Sequence, residues 1–198
     1  MANEEVNTGR RRFLTATTAV VGAVGAGFAA VPFIKSWNPS ARARFAGAPI
    51  RVNIEALEEG AQLREVWRGA PIFISKRGKA LLDTLPQLND MVVDPESTNA
   101  DQTPAYARNQ TRSIKPEILV LVGVCTHLGC APEFLPQIQP QAFDANWKGG
   151  YFCPCHKSKY DAAGRVYLAQ PAPAALPVPP HRFIDDNTIE IGVDQGAA

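Results

Sequence analysis

Cys125-Thr126-His127-Leu128-Gly129-Cys130 and Cys153-Pro154-Cys155-His156-Lys157-Ser158-Lys159-Tyr160-Asp161 decide how the rest of the chain is read. They hold all four cysteines and two of the three histidines of the 198-residue protein. Each stretch puts a Cys and a His within reach of one metal centre, as Cys-x-His in the first and Cys-x-x-His in the second. Each also holds one further cysteine. Random placement of four cysteines would rarely produce two such mirrored loops, so the pair is read as one site.

Two thiolates and two imidazoles suit a tetrahedral zinc. They equally suit a 2Fe–2S cluster with two Cys on one iron and two His on the other. A two-Cys, two-His zinc site gives Cys130 and Cys155 no task, and a four-Cys zinc site gives neither histidine one. A cluster on Cys125, His127, Cys153 and His156 leaves one spare cysteine in each loop. The spacing alone is not unique, so structural zinc stands as the alternative.

In these loops, and through most of the chain after residue 50, the sequence resembles the Rieske iron–sulfur protein of cytochrome bc complexes. The resemblance implies a 2Fe–2S cluster on Cys125, His127, Cys153 and His156, and a Cys130–Cys155 disulfide. It implies hydrogen bonds from Ser158 and Tyr160 to cluster or cysteine sulfur. A hydroxyl donor stabilises the extra negative charge of a reduced cluster and raises its potential. It further implies quinol oxidation at the exposed tip, with His156 accepting the quinol's hydrogen bond and proton and Leu128 at the docking surface. One electron then goes to a c-type cytochrome and the other to a haem of a cytochrome b subunit, in a dimeric complex. A proline loop with Pro171 and Pro173 forms a third wall over the cluster, stiffened by the fixed φ of proline. Two positions depart from the pattern. Gln170 replaces the glycine of Gly-Pro-Ala-Pro, which puts the tightness of that turn in question. Lys157 stands where the family usually has Gly; if the backbone there needs positive φ, a side chain costs on the order of 1 kcal/mol.

The rest of the chain fits a soluble domain with an attachment. Hydrophobic residues make up 45% and charged residues 20%, with net charge +1. Residues 1–49 carry net +4 and residues 50–198 net −3; no basic patch argues for nucleic acid. Residues 1–9 are polar and expected to be disordered. Arg10 and Arg11 open Arg-Arg-Arg-Phe-Leu ahead of an apolar run, which looks like a twin-arginine export signal. Phe13 to Ile34 is uncharged and spans about 33 Å as a helix, enough for a bilayer core. Its Gly22, Gly25 and Gly27 allow close helix approach. Gly25–Ala30 also suits cleavage, but the family keeps this segment as an anchor. Arginines precede the run and Lys35, Arg42 and Arg44 follow it, so charge does not set the orientation. The export signal and the implied disulfide place the domain on the periplasmic side of the inner membrane. The expected division is thus 1–12 cytoplasmic, 13–34 transmembrane, 35–49 hinge linker and 50–198 cluster domain, with the cluster-binding part at about 118–181.

From Ile50 the pattern becomes short alternating segments, expected to form a mostly β domain of antiparallel sheets. Ile50–Ile54 and Leu63–Trp67 read as strands, Arg68–Pro71 as a turn, and Ile72–Ile74 as the returning strand. Residues 79–90 read as a short helix broken near Pro86. Residues 91–113 are an irregular polar excursion, and 133–146 an inserted loop; neither has an assigned chemistry. Glu117–Val124 is an apolar strand delivering the first loop. Residues 183–192 read as a closing hairpin turning at Asp186-Asn187. His181 is expected to be a partly exposed polar residue.

Two readings other than the bc complex stay open: the structural zinc domain weighed above and a different redox subunit. The small Rieske subunit of a periplasmic molybdenum oxidase, such as arsenite oxidase, also has an export signal and the cysteine pair. Leu128 and Pro171-Ala172-Pro173 favour the bc complex over it. An oxygenase ferredoxin needs neither the anchor nor the second cysteine pair.

Overall fold

The computed structural model describes residues 7–40 and 47–194. Residues 41–46 of the expected linker, and 1–6 of the expected disordered terminus, lie outside the described residues.

Helix α1 runs Thr8–Ser36, earlier than a disordered start allows. Asn7 explains this: its side chain accepts from the Arg10 N–H at 3.1 Å and caps the first turn. At 29 residues the helix is about 44 Å long. It is apolar and long enough to cross a membrane. Thr15 and Thr17 donate their hydroxyls to the carbonyls of Arg11 and Phe13, so neither hydroxyl is left unbonded in an apolar setting.

The β domain is built separately, from three antiparallel three-stranded sheets. The first contains β1 (Ile50–Asn53), β9 (Thr188–Ile191) and β8 (His181–Phe183), in that order. The second runs β2 (Gln62–Trp67), β3 (Ala70–Lys76), β4 (Ile118–Val122). The third runs β5 (Glu133–Leu135), β6 (Gly150–Phe152), β7 (Lys159–Asp161). β5 corrects the sequence expectation, because Glu133–Leu135 pairs with Phe152–Gly150 rather than looping. Three residues are too few to show a period of two.

β3 and β4 are buried on both faces, which is why they read as continuous apolar runs. Ile72, Ile74, Ile118 and Val120 enter one core, with Val52, Trp67, Ile189 and Ile191. Phe73, Leu119 and Leu121 enter the other, with Tyr151, Tyr160, Val166 and Leu176. That second core also contains Cys125 and Cys153, so the sheet that organises the domain packs directly beneath the two loops. The β2–β3 turn is tighter than the sequence implied. Only Arg68 and Gly69 are unpaired, both at positive φ (51° and 76°), and Trp67 already pairs with Ala70. This is the two-residue primed turn that matches strand twist.

One turn of helix, Lys79–Leu82, is followed by a 3₁₀ segment starting at Pro86. The polar 91–113 segment contributes to a buried guanidinium cluster. Arg77, Arg112 and Arg165 are all at most 1% exposed. Arg77 donates to the carbonyls of Ala162 and Thr111 and to Ser113 Oγ. Arg112 donates to the Ala163 carbonyl and Thr103 Oγ1. Arg165 pairs with fully buried Asp161 at 2.7 Å and donates to the carbonyls of Pro95 and Leu85. Burial brings Arg77 and Arg112 down to about 10, so both stay charged at neutral pH. All three grip the turn 161–165, which immediately follows β7.

His181 is buried at 1% exposure, which corrects the expected exposed position. Its Nδ1 lies 2.8 Å from the Pro179 carbonyl, and its ring packs edge-on to Tyr106. Strand β8 starts at this residue, and pairing with Ile191 carries it into the interior.

Candidate metal centre

β4 leads through Gly123-Val124 into the first loop, and the β6–β7 hairpin carries the second. Only glycine fits at Gly150: its φ is +145°, and a Cβ there would run into the backbone of Tyr160 and Asp161. The two loops share one hydrogen-bonding pattern. In the first, the Cys125 N–H donates to the Cys130 carbonyl (2.7 Å) and the Gly129 N–H to the Cys125 carbonyl (3.0 Å). In the second, the Cys153 N–H donates to the Ser158 carbonyl (2.8 Å) and the Lys157 N–H to the Cys153 carbonyl (2.9 Å). Lys157 therefore occupies the position that Gly129 fills in the first loop. Both are left-handed, at φ +63° and +87°. The positive φ asked of Lys157 by the sequence is present.

A disulfide joins Cys130 to Cys155, with Cα atoms 6.6 Å apart. It brings the loops face to face. The rings of His127 and His156 sit 4.6 Å apart and nearly perpendicular, at 89°. Cys125 and Cys153 are unbridged, buried at 2% and 1%, with their thiols side by side. Burial pushes the Cys153 thiol up, opposed by the backbone N–H groups of Cys155 and His156 that point at its sulfur. His127 Nδ1 is buried with no hydrogen-bond partner. Such an atom is costly unless something binds it. Two buried sulfur donors, two convergent imidazoles and an orphaned ring nitrogen fit a 2Fe–2S cluster with mixed ligation. The three cysteine sulfurs that crowd within 4.8 Å, those of Cys130, Cys153 and Cys155, include both disulfide partners, so they do not make a separate metal set.

Around these donors, Tyr160 Oη lies 3.1 Å from Cys125 Sγ and 3.3 Å from Thr126 Oγ1. Thr126 donates its own proton to the Ala174 carbonyl (2.6 Å), which leaves the Tyr160 proton for the sulfur or for Thr126. Burial raises the Tyr160 hydroxyl well above the ordinary phenol range, so it stays a donor. Ser158 is fully buried and accepts the Ala172 N–H at 3.1 Å. Among the described residues its hydroxyl hydrogen has no acceptor. Leu128 stands at the tip with 71% of its surface exposed. His156, Pro171 and Pro173 are also exposed. Gln170, the residue in place of glycine, accepts the Lys159 N–H on its Oε1 at 3.0 Å and so ties the proline segment to β7. Arg10 and Arg11 lie on α1. Sequence reasoning passed over Thr126 and the side-chain role of Gln170; the Cys-Thr-His spacing was the available signal for the first.

Two family models match the chain. The twin-arginine signal of the ubiquinol–cytochrome c reductase Fe-S subunit covers residues 1–40, and the Rieske [2Fe-2S] domain covers residues 95–180. Three curated relatives are named ubiquinol-cytochrome c reductase iron-sulfur subunit. The protein from Allochromatium vinosum is 51% identical over all of this chain and 95% of its own. That from Bradyrhizobium diazoefficiens is 41% identical over 92% and 94%. That from Cereibacter sphaeroides is 42% identical over 97% and 100%. Half of all positions shared end to end, with both cysteine–histidine loops inside the matched Rieske domain, means that the chain belongs to the family of ubiquinol–cytochrome c reductase iron–sulfur subunits.

Proposed function

We propose that this chain is the electron-transfer subunit of a quinol–cytochrome c oxidoreductase, taking one electron and one proton from ubiquinol and passing the electron to a c-type cytochrome. Its partners are that cytochrome and a cytochrome b subunit, whose haem takes the second electron. The facing imidazoles over two buried unbridged thiols carry this reading. Cys125 and Cys153 would hold one iron of a bound cluster, and His127 and His156 the other. The bound cluster supplies a one-electron acceptor whose oxidation state tunes the acidity of its imidazole ligands.

The chain's own residues do the rest. His156, exposed at the tip, accepts the quinol's hydrogen bond and then its proton on the ring nitrogen not used for ligation. Leu128 and the exposed Pro171 and Pro173 give the quinol ring an apolar rim. Ser158 and Tyr160 direct hydroxyl protons at sulfur. The Cys130–Cys155 bridge holds the two halves together. The protein is anchored in the membrane, with α1 long and apolar enough to cross it. We place the cluster domain on the periplasmic side, supported by the twin-arginine signal and the disulfide. Residues 1–12 then stay cytoplasmic, 13–34 span the bilayer, 35–49 act as a hinge and 50–198 form the cluster domain. The relatives' names favour this reading over a molybdenum oxidase subunit.

The test is low-temperature EPR of the purified protein. A rhombic 2Fe–2S signal already present with ascorbate is expected. In the same titration Ser158→Ala and Tyr160→Phe keep the cluster but lower its potential and slow quinol oxidation. A signal that needs dithionite would indicate a low-potential ferredoxin. EPR silence with bound zinc would overturn the assignment.

Lys157 bears on the same measurement. Its cation, one residue from His156, favours the more negative reduced cluster. Lys157→Gly is expected to lower the potential while relieving about 1 kcal/mol of left-handed strain. A redox titration showing an unchanged or higher potential contradicts this.

A further inference from the structure

The 136–146 segment touches the second loop at both of its ends. That loop, Cys153–Ser158, is closed by the strand pair Phe152–Lys159. The Phe143 ring stacks on Phe152 at 3.8 Å between centroids, 7° from parallel. The next residue, Asp144, binds Lys159 at 2.7 Å, with both side chains mostly covered (18% and 23% exposed). So adjacent residues of one segment hold the two members of the closing pair.

The clamp is itself braced. Gln141 and Asp144 exchange both backbone hydrogen bonds, at 2.9 and 3.0 Å, fixing a tight turn. Asp144 Oδ1 accepts the Asn146 N–H. Phe143 packs edge-on against Trp147, which is 2% exposed and donates from Nε1 to the Leu135 carbonyl. The Lys159 ammonium also lies over the Tyr167 ring, 5.3 Å from its centroid.

We propose that Phe143 and Asp144 are positioning residues for the second cluster loop: by holding Phe152 and Lys159 in register, they keep the hydroxyls of Ser158 and Tyr160 aimed at sulfur. This rests on the cluster assignment made above. The hydroxyls flank Lys159 on either side in sequence, so any slip of the closing pair moves both. A hydrogen bond weakens steeply once its angle falls off, so a small shift suffices to reduce their stabilisation of the reduced state.

The experiment is a potentiometric EPR titration of the full-length, cluster-loaded protein. Phe143→Ala is expected to lower the midpoint potential and broaden the signal, and Phe143→Tyr, which keeps the stacked ring, to restore both. The double variant Asp144→Ala/Lys159→Met removes the second contact without changing the net local charge. It is expected to shift the potential in the same direction and serves alone if Phe143→Ala does not accumulate. Ser158→Ala runs alongside. If it lowers the potential while Phe143→Ala and the double variant leave it at the wild-type value, the clamp is overturned. If Ser158→Ala also leaves the potential unchanged, the hydroxyls do not tune the cluster and the clamp has nothing to position, which overturns the proposal; a wild-type protein without a 2Fe–2S signal would instead sink the cluster assignment.

Discussion

Cys130→Ser is expected to empty the site while leaving most of the domain folded. The bridge spans a sequence separation of 25 residues, for which chain entropy predicts a loss of about 3.5 kcal/mol. In a domain of this size that lowers the melting midpoint by on the order of 10 °C. The local consequence is larger. Each loop keeps its own two backbone hydrogen bonds, but Cys130 and Cys155 provide the only covalent tie between the tips among the described residues. Without it the His127 and His156 rings are no longer held at 4.6 Å, and imidazole ligation loses its preorganisation. The sheets packed through Phe73, Leu119, Leu121 and Tyr151 do not depend on the bridge. Visible absorbance and EPR should therefore disappear while far-UV circular dichroism is largely retained. Full cluster occupancy with an unshifted melt would contradict this role.

Asp161→Asn is expected to cost about 3–5 kcal/mol, the range for removing one partner from a buried ion pair. The substitution conserves volume, so no cavity contributes. The amide oxygen still accepts the Ala163 and Arg165 N–H groups that Asp161 Oδ1 now accepts, both at 2.9 Å. What disappears is the negative charge that Arg165 contacts directly and that Arg77 and Arg112 feel across the turn. Chemical denaturation of the variant against the wild type measures the difference. A loss below about 1 kcal/mol would mean that the carbonyls alone balance the three guanidinium groups.

Much of this was legible in the residues themselves. The two loops advertise themselves because their ligand types are rare and locally spaced. Helix α1 shows as an uncharged run, and β4 as an apolar one. The parts that stayed hidden depend on distant partners. Nothing in residues 91–113 distinguishes a solvated polar run from one wrapped around buried arginines, because Arg77 and Arg165 lie outside it. His181 looked like a surface residue until its strand paired with β9. Phe143 and Asp144 sit in a segment with no periodicity, and their partners Phe152 and Lys159 become neighbours only when the β6–β7 hairpin forms. Long-range pairing of this kind has no signature in a local window.

The repeated hydrogen-bond pattern of the two loops has a bearing on protein design. Each loop is a six-residue unit whose first N–H meets its last carbonyl and whose fifth residue is left-handed. A grafted cluster holder therefore does not require this whole domain. It requires two such six-residue loops on any rigid β scaffold, set so that one bridging pair of Cα atoms lies about 6.6 Å apart. Glycine, which adopts positive φ without strain, belongs at the fifth position of both loops.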